Sequence, residues 1–296
     1  MDSLSLQMQR VADVSWVAFD TEATGYSNVT DRLVEVAGVK FRRFDGRWVG
    51  EGAFSELVRP GVAMTPEVMA IHGLTNADVA HAERPAAVLA RFFQFAKGSM
   101  LLAHYAPFDV GAITFTCLRE HLVVPGLSAL DTDRFARKIL PGLKDYSLET
   151  ATASLGVAQE THHRALPDSR ATMSLFTKCV EKLGNPDTLI LGILFEQTGK
   201  PHEFEKFAEL GRNMPDIWKD LQSAIEAGQD LRFVYRGGSQ GNTPRRVTPS
   251  HLFARDGRIF LDGVCHSNGA MKGFRLDKIE ELQTVARSAP PSGTTS

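Results

Sequence analysis

Ser15-Trp-Val-Ala-Phe-Asp-Thr-Glu-Ala-Thr-Gly25 is the stretch on which the reading of this chain turns. Its hydrophobic start reads as a buried strand, and Ala23 to Gly25 reads as a small-residue turn that ends it. Alternate residues of a strand share a face, so Asp20 and Glu22 point the same way. Two carboxylates that close repel each other, and beside an apolar run they are costly unless a hard cation or several hydrogen bonds compensate them. A divalent metal is the natural compensation.

Two later segments carry matching chemistry. His104-Tyr-Ala-Pro-Phe-Asp109 leads into a helix expected over residues 108–121, with Ala112, Phe115 and Leu118 at helical spacing and Asp109 in its first turn. His163-Arg-Ala-Leu-Pro-Asp168 opens another helix, with Leu175, Phe176, Cys179, Val180 and Leu183 along one face. Anions at helix starts are favoured by the macrodipole, so each aspartate taken alone also reads as a cap. His104 reads as the end of a strand, bonding locally to hold the loop before Asp109.

Taken in order, the three segments resemble the motifs of the DEDDh 3′→5′ exonucleases, the proofreading-exonuclease superfamily, over roughly residues 14–183. The resemblance implies an α/β, ribonuclease H-like domain, a mixed sheet flanked by helices. It implies two Mg²⁺ or Mn²⁺ ions about 4 Å apart that clamp the scissile phosphate. Asp20, Glu22, Asp109 and Asp168 are the implied ligands, all hard oxygens that suit these ions and disfavour zinc. His163 is the implied general base, because an imidazole titrates near neutrality. Loss of such a base typically costs roughly two to four decades in rate. The adjacent His162 leaves the choice of ring to motif spacing, which favours His163. Tyr105 departs from the asparagine common at that position of the family motif.

The intervening sequence fits the same layout. Val34-Glu-Val-Ala-Gly-Val-Lys-Phe-Arg alternates apolar with polar or small residues, Asp45-Gly46 makes a turn, and residues 47–58 return as a strand. Met64 to Thr75 resembles a family element that lines the site near the terminal nucleotide, and it also reads as a short helix capped by Gly73. On this resemblance Thr24, Gly25 and His72 are expected to contact substrate.

At 296 residues the chain exceeds what such a core needs, and 43% hydrophobic content is ordinary for soluble domains. The expected organisation is an exonuclease domain over 1–183, a helical connector over 184–224, a small β domain over 225–286 and a disordered tail over 287–296. A net charge of −2 gives no global basic signature, so nucleic-acid binding must come from local patches and metals. Cys117, Cys179 and Cys265 are few, odd in number and unclustered, which argues against a disulfide framework or a structural zinc site. A reducing cytoplasm is expected, with no export signal and no membrane association.

From Ile225 short alternating runs are separated by Gly- and Asn-rich turns, the pattern of a small barrel or curled sheet. This part resembles a WYL domain, an SH3- or Sm-like β fold linked to nucleic-acid or ligand sensing, most specifically at Phe274-Arg-Leu-Asp-Lys-Ile279. The namesake tripeptide is here Ile259-Phe260-Leu261. Between residues 225 and 275 eight basic residues face four acidic ones, a local balance of +4. Interleaved with Phe233 and Tyr235, such a patch could hold a single strand or a nucleotide-like effector. The contacts implied by the resemblance are Tyr235, Arg246 and Arg275.

The expected function is metal-dependent 3′→5′ hydrolysis of single-stranded DNA or DNA ends to nucleoside monophosphates, guided or regulated by the WYL-like domain. An exoribonuclease acting on RNA or short oligonucleotides is the same-class alternative, since no motif reads the 2′-hydroxyl. A ligand-responsive nucleic-acid-binding regulator is the alternative from another class. Homodimers through the connector or barrel are compatible with the sequence.

Overall fold

The computed structural model describes residues 3–157, 164–238 and 241–287. Its first sheet comprises β1 (Ser15–Ala23), β2 (Leu33–Phe44), β3 (Arg47–Leu57), β4 (Met100–Ala103), β5 (Ser128–Asp131) and β6 (His202–Glu203), in the order β3-β2-β1-β4-β5-β6. β1, β4 and β5 run parallel, and β2, β3 and β6 pair antiparallel. The β2–β3 hairpin turns at Asp45 and Gly46, with φ of 48° and 68°, the left-handed pair that a two-residue turn matched to strand twist requires.

Helices α1 (Ser3–Met8), α2 (Pro66–His72), α3 (Asn76–Val79), α4 (Pro85–Ala96), α5 (Pro107–Arg119), α6 (Thr132–Ile139), α7 (Leu148–Ser154) and α8 (Ala165–Leu183) accompany this sheet. α9 (Leu191–Thr198), α10 (Phe204–Arg212) and α11 (Ile217–Glu226) follow. A second, antiparallel sheet holds β7 (Asp230–Tyr235), β8 (Arg245–Arg255), β9 (Arg258–Cys265), β10 (Ala270–Arg275) and β11 (Ile279–Val285), ordered β10-β9-β8-β7-β11. Among the described residues no helix is long and apolar enough to cross a membrane, and all three cysteines are buried and unpaired.

Parity along β1 positions everything that follows. Trp16 and Ala18 enter one apolar cluster with Phe41, Leu175 and Phe176, the last two from α8. Val17 and Phe19 enter another with Phe92 of α4 and Ile113 of α5. Asp20 and Glu22 continue the parity of Trp16 and Ala18, toward α8, and Thr21 continues that of Phe19, toward α5. The second cluster runs without a break into the C-terminal part, through Phe204, Leu221, Leu231, Phe233, Leu252 and Leu261.

The connector is not wholly helical. β6 pairs with β5 at the edge of the first sheet, and α11 places Leu221 and Ala224 in the apolar cluster shared with the second sheet. Phe233 is fully buried there, so its ring packs core and offers no stacking surface. Of the tail expected to be disordered over 287–296, all but Arg287 lies outside the described residues.

Candidate metal centre

Asp20 and Glu22 at the end of β1 and Asp168 in the first turn of α8 each offer a carboxylate oxygen within 4.8 Å of the others. A 19-residue helix forms here because its apolar positions pack on Trp16 and Phe41, and that packing brings Asp168 against the β1 face bearing the two acids. Asp109 comes from the opposite side of the sheet. Its Oδ1 accepts from the Thr21 backbone N–H at 2.9 Å and from the Thr21 hydroxyl at 2.8 Å. The odd residue between the two acids thus fixes the third aspartate.

The electrostatics are those of uncompensated charge. Burial, followed by repulsion from Asp109, Glu22 and Asp168, pushes the Asp20 carboxyl well above the usual carboxylate range. Burial, with Asp168 and Glu35 nearby, pushes Glu22 up to about 8. Burial raises Asp109 to about 7 against the opposing pull of its bonds from Thr21. An all-oxygen donor set that is expensive to ionise without a counter-charge fits a hard divalent cation.

Glu35 was missed from sequence, where it read as a polar residue of an alternating strand. It is 2% exposed and stands in register with Glu22 across the β1–β2 pair. Arg164 grips it with Nε and Nη2 at 3.0 and 2.9 Å, and the backbone N–H of Ala165 donates to it at 3.1 Å. Arg164 occupies the N-cap position of α8 but makes no side-chain cap there, so the carboxylate that caps this helix comes from β2. The available signal was the apolar run on both parities, Val34, Val36, Ala37 and Val39, which leaves no solvent face for an acid.

His163 lies outside the described residues, as does its neighbour His162. The Thr24 backbone N–H donates to Arg32 O at 2.8 Å, and its hydroxyl accepts from Arg32 N at 3.0 Å, so Thr24 closes the turn after β1. Gly25 faces Asp31, whose Oδ2 lies 2.5 Å from where a Cβ would stand, so a larger residue would displace that carboxylate. His72 is 3% exposed; its Nδ1 accepts from Leu74 N at 3.0 Å, and its Nε2 has no partner among the described residues. With Nδ1 accepting, Nε2 carries the proton, and a buried donor without an acceptor is unusual.

His104 follows the last residue of β4 directly, and its bonds are not local. Its Nδ1 contacts the Thr132 hydroxyl at 3.1 Å and its Nε2 the Tyr146 carbonyl at 2.8 Å. Farther off, the C-terminal basic residues are largely engaged. Arg246 binds Asp230 at 2.8 Å, Arg275 binds Asp277, Arg255 binds Asp262, and Arg245 is buried over the Tyr235 ring. The Tyr235 hydroxyl accepts from Arg275 N at 3.2 Å. Four of the eight basic residues of this region are therefore held by neighbours within the second sheet.

Comparison with known proteins agrees with this architecture. A family model described as Exonuclease matches residues 17–176, and one described as WYL domain matches residues 216–284. The DNA polymerase III PolC-type protein of Caldanaerobacter subterraneus is 34% identical over 168 residues, 57% of this chain and 12% of that protein. The PolC-type protein of Streptococcus pneumoniae is 34% identical over 187 residues, 62% of this chain and 12% of its own length. This chain thus spans about an eighth of those curated relatives. The nuclease domain of 3′hExo, described as a DEDDh family member bound to rAMP, shares the fold, with a TM-score of 0.52 at 16% identity over 59% of this chain and 94% of that one. With its exonuclease match covering more than half of its length, this chain belongs to the exonuclease family and carries a WYL domain at its C-terminal end.

Proposed function

We propose that this chain is a divalent-metal-dependent 3′→5′ exonuclease that releases nucleoside monophosphates from single-stranded DNA or DNA ends. The observation that carries the reading is the meeting of Asp20, Glu22 and Asp168 within 4.8 Å, with Asp109 delivered to Asp20 from the other face of the sheet. Asp20, Glu22, Asp168 and Asp109 would hold two Mg²⁺ or Mn²⁺ ions. Bound there, the cations supply charge neutralisation at the scissile phosphate and lower the cost of forming a hydroxide nucleophile. His163 receives the proton of the attacking water at an imidazole nitrogen. The turn held by Thr24 and Gly25, together with the helix that ends at His72, orients the terminal nucleotide.

We assign the exonuclease unit to 1–183, the connector to 184–224 and the β unit to 225–286, the last with Tyr235, Arg246 and Arg275 at a nucleic-acid or effector contact. The polymerase relatives favour a DNA substrate. A solved relative described as recognising the 3′ end of histone mRNA keeps RNA in view. The test is product analysis on 3′- and 5′-labelled single-stranded DNA, matched RNA and duplex DNA with Mn²⁺, Mg²⁺ or EDTA. Mononucleotide release from the 3′ end that needs metal and is lost in Asp20→Ala supports the reading. Release from the 5′ end, internal cuts, or activity that survives in EDTA overturns it.

A further inference from the structure

We propose that Tyr105, backed by the β8 strand of the C-terminal sheet, is a base-stacking platform that holds the strand leading to the acidic centre, an inference that rests on the nuclease reading above. Tyr105 has a φ of 65°, in the left-handed region where a bulky side chain is strained and asparagine or glycine is at ease. Its backbone is fixed there by a 3.1 Å bond from its N–H to Asp131 Oδ1, and Asp131 is 2% exposed. Core packing does not account for the ring, which is 41% exposed. A strained backbone carrying a large, half-open aromatic four residues before Asp109 points to a use for the ring outside the fold.

The surroundings say what that use is. Tyr105 lies 5.9 Å from Phe253 at 32°, Phe253 lies 6.0 Å from His251, and His251 lies 6.3 Å from Tyr26. Tyr26 is 57% exposed and follows Gly25 directly. His251 and Phe253 share one face of β8, so a row of rings joins the turn after Glu22 to the loop before Asp109. β8 is held in place by Asn28, which donates to Pro107 O at 2.6 Å and Ala254 O at 2.9 Å and accepts from Ala254 N at 2.8 Å, and by Ser27, which donates to Leu252 O at 2.5 Å. The outer rings are therefore open while their supports are rigid.

Charge selects the part of the ligand that binds. Asp31 and Asp262 lie beside His251, Arg255 is shared between the Tyr105 hydroxyl and Asp262, and Arg134 is already bound to Asp256. Phosphates gain nothing there, whereas bases have π faces that stack without regard to charge or sequence. The ligand is a single strand with its bases turned toward Tyr105 and Tyr26.

The test measures binding of a fluorescent oligothymidylate, and of the same strand carrying 2-aminopurine, to the full chain in an Asp20→Ala background that prevents hydrolysis. Adding Tyr105→Asn is expected to raise Kd about 5- to 150-fold, the worth of one stacked base, and to abolish 2-aminopurine quenching. Tyr105→Phe is expected to restore both, and the slope of log Kd against log salt is expected to stay constant because no phosphate contact is lost. Thermal stability of Tyr105→Asn should equal or exceed that of the parent, since the strain is relieved. An unchanged Kd and quenching in Tyr105→Asn, with the wild type still cleaving, overturns the platform alone; loss of stability in Tyr105→Asn reassigns the ring to packing between the sheets. Absence of binding or cleavage of any strand by the wild type overturns the nuclease reading together with it.

Discussion

The Glu35–Arg164 bridge is unequally buried, and that inequality predicts an unequal cost of breaking it from either end. The Glu35 side chain is 2% exposed and that of Arg164 is 42% exposed. In Arg164→Met the carboxylate keeps only the Ala165 N–H while Glu22 and Asp20 crowd it, so a buried charge is left without its counter-ion. That situation costs roughly 3 to 5 kcal/mol. In Glu35→Gln the guanidinium turns to water, the amide oxygen still accepts from Ala165, and one negative charge leaves the neighbourhood of the acidic centre. The loss is then that of ordinary hydrogen bonds, about 1 to 2 kcal/mol. Denaturant unfolding in EDTA at pH 7, followed by far-UV circular dichroism, should separate the two variants by about 2 kcal/mol, or about 3 °C in Tm for a chain of this size. The double variant should be more stable than Arg164→Met alone. If Glu35→Gln costs as much as Arg164→Met, or the double variant is the worst of the three, the idea of a desolvated brace at the start of α8 is refuted.

The raised carboxyls make the metal-free protein sensitive to alkali. Groups whose folded pKa lies above the unfolded value stabilise fully below about pH 4 and lose that contribution as pH rises through about 7 for Asp109 and about 8 for Glu22. Tm in EDTA should therefore fall from pH 5 to pH 8, and saturating Mn²⁺ should flatten the slope; a Tm that rises over that window contradicts the assignment. Calorimetric titration of Mn²⁺ in buffers of different ionisation enthalpy should show protons released on binding at pH 6.5, because ligands must be deprotonated. Asn28→Ala leaves both polar groups of Ala254 unsatisfied in a buried seam and removes a second bond to Pro107 O, and should cost roughly 2 to 4 kcal/mol, with faster amide exchange in β8. Gly111→Ala drives a methyl into the Asn28 amide and should cost about 1 to 3 kcal/mol alone and less in the Asn28→Ala background, as a double-mutant cycle would read.

The features legible in the amino-acid order are local. Strand parity put Asp20 and Glu22 on one face, helix-start chemistry put Asp109 and Asp168 in first turns, and Asp45-Gly46 set a hairpin, because each depends only on backbone geometry over a few residues. The short alternating runs after Ile225 likewise announced a second sheet. Other features arise from packing between residues distant in the chain. Thr21 reads as a spacer until α5 brings Asp109 onto its hydroxyl. Glu35 reads as a solvent-facing acid until α8 covers β2 and Arg164 closes on it. Phe233 reads as part of a stacking face until the second sheet folds and turns its ring inward, and Arg246, Arg255 and Arg275 gain Asp230, Asp262 and Asp277 as partners only in the folded chain. Tyr105 reads as a departure from a motif, and its worth comes from Phe253, nearly 150 residues away. Burial and partner are properties of contacts that chain separation hides, so a residue's type and spacing show what it can do, and the packing around it settles whether it does so.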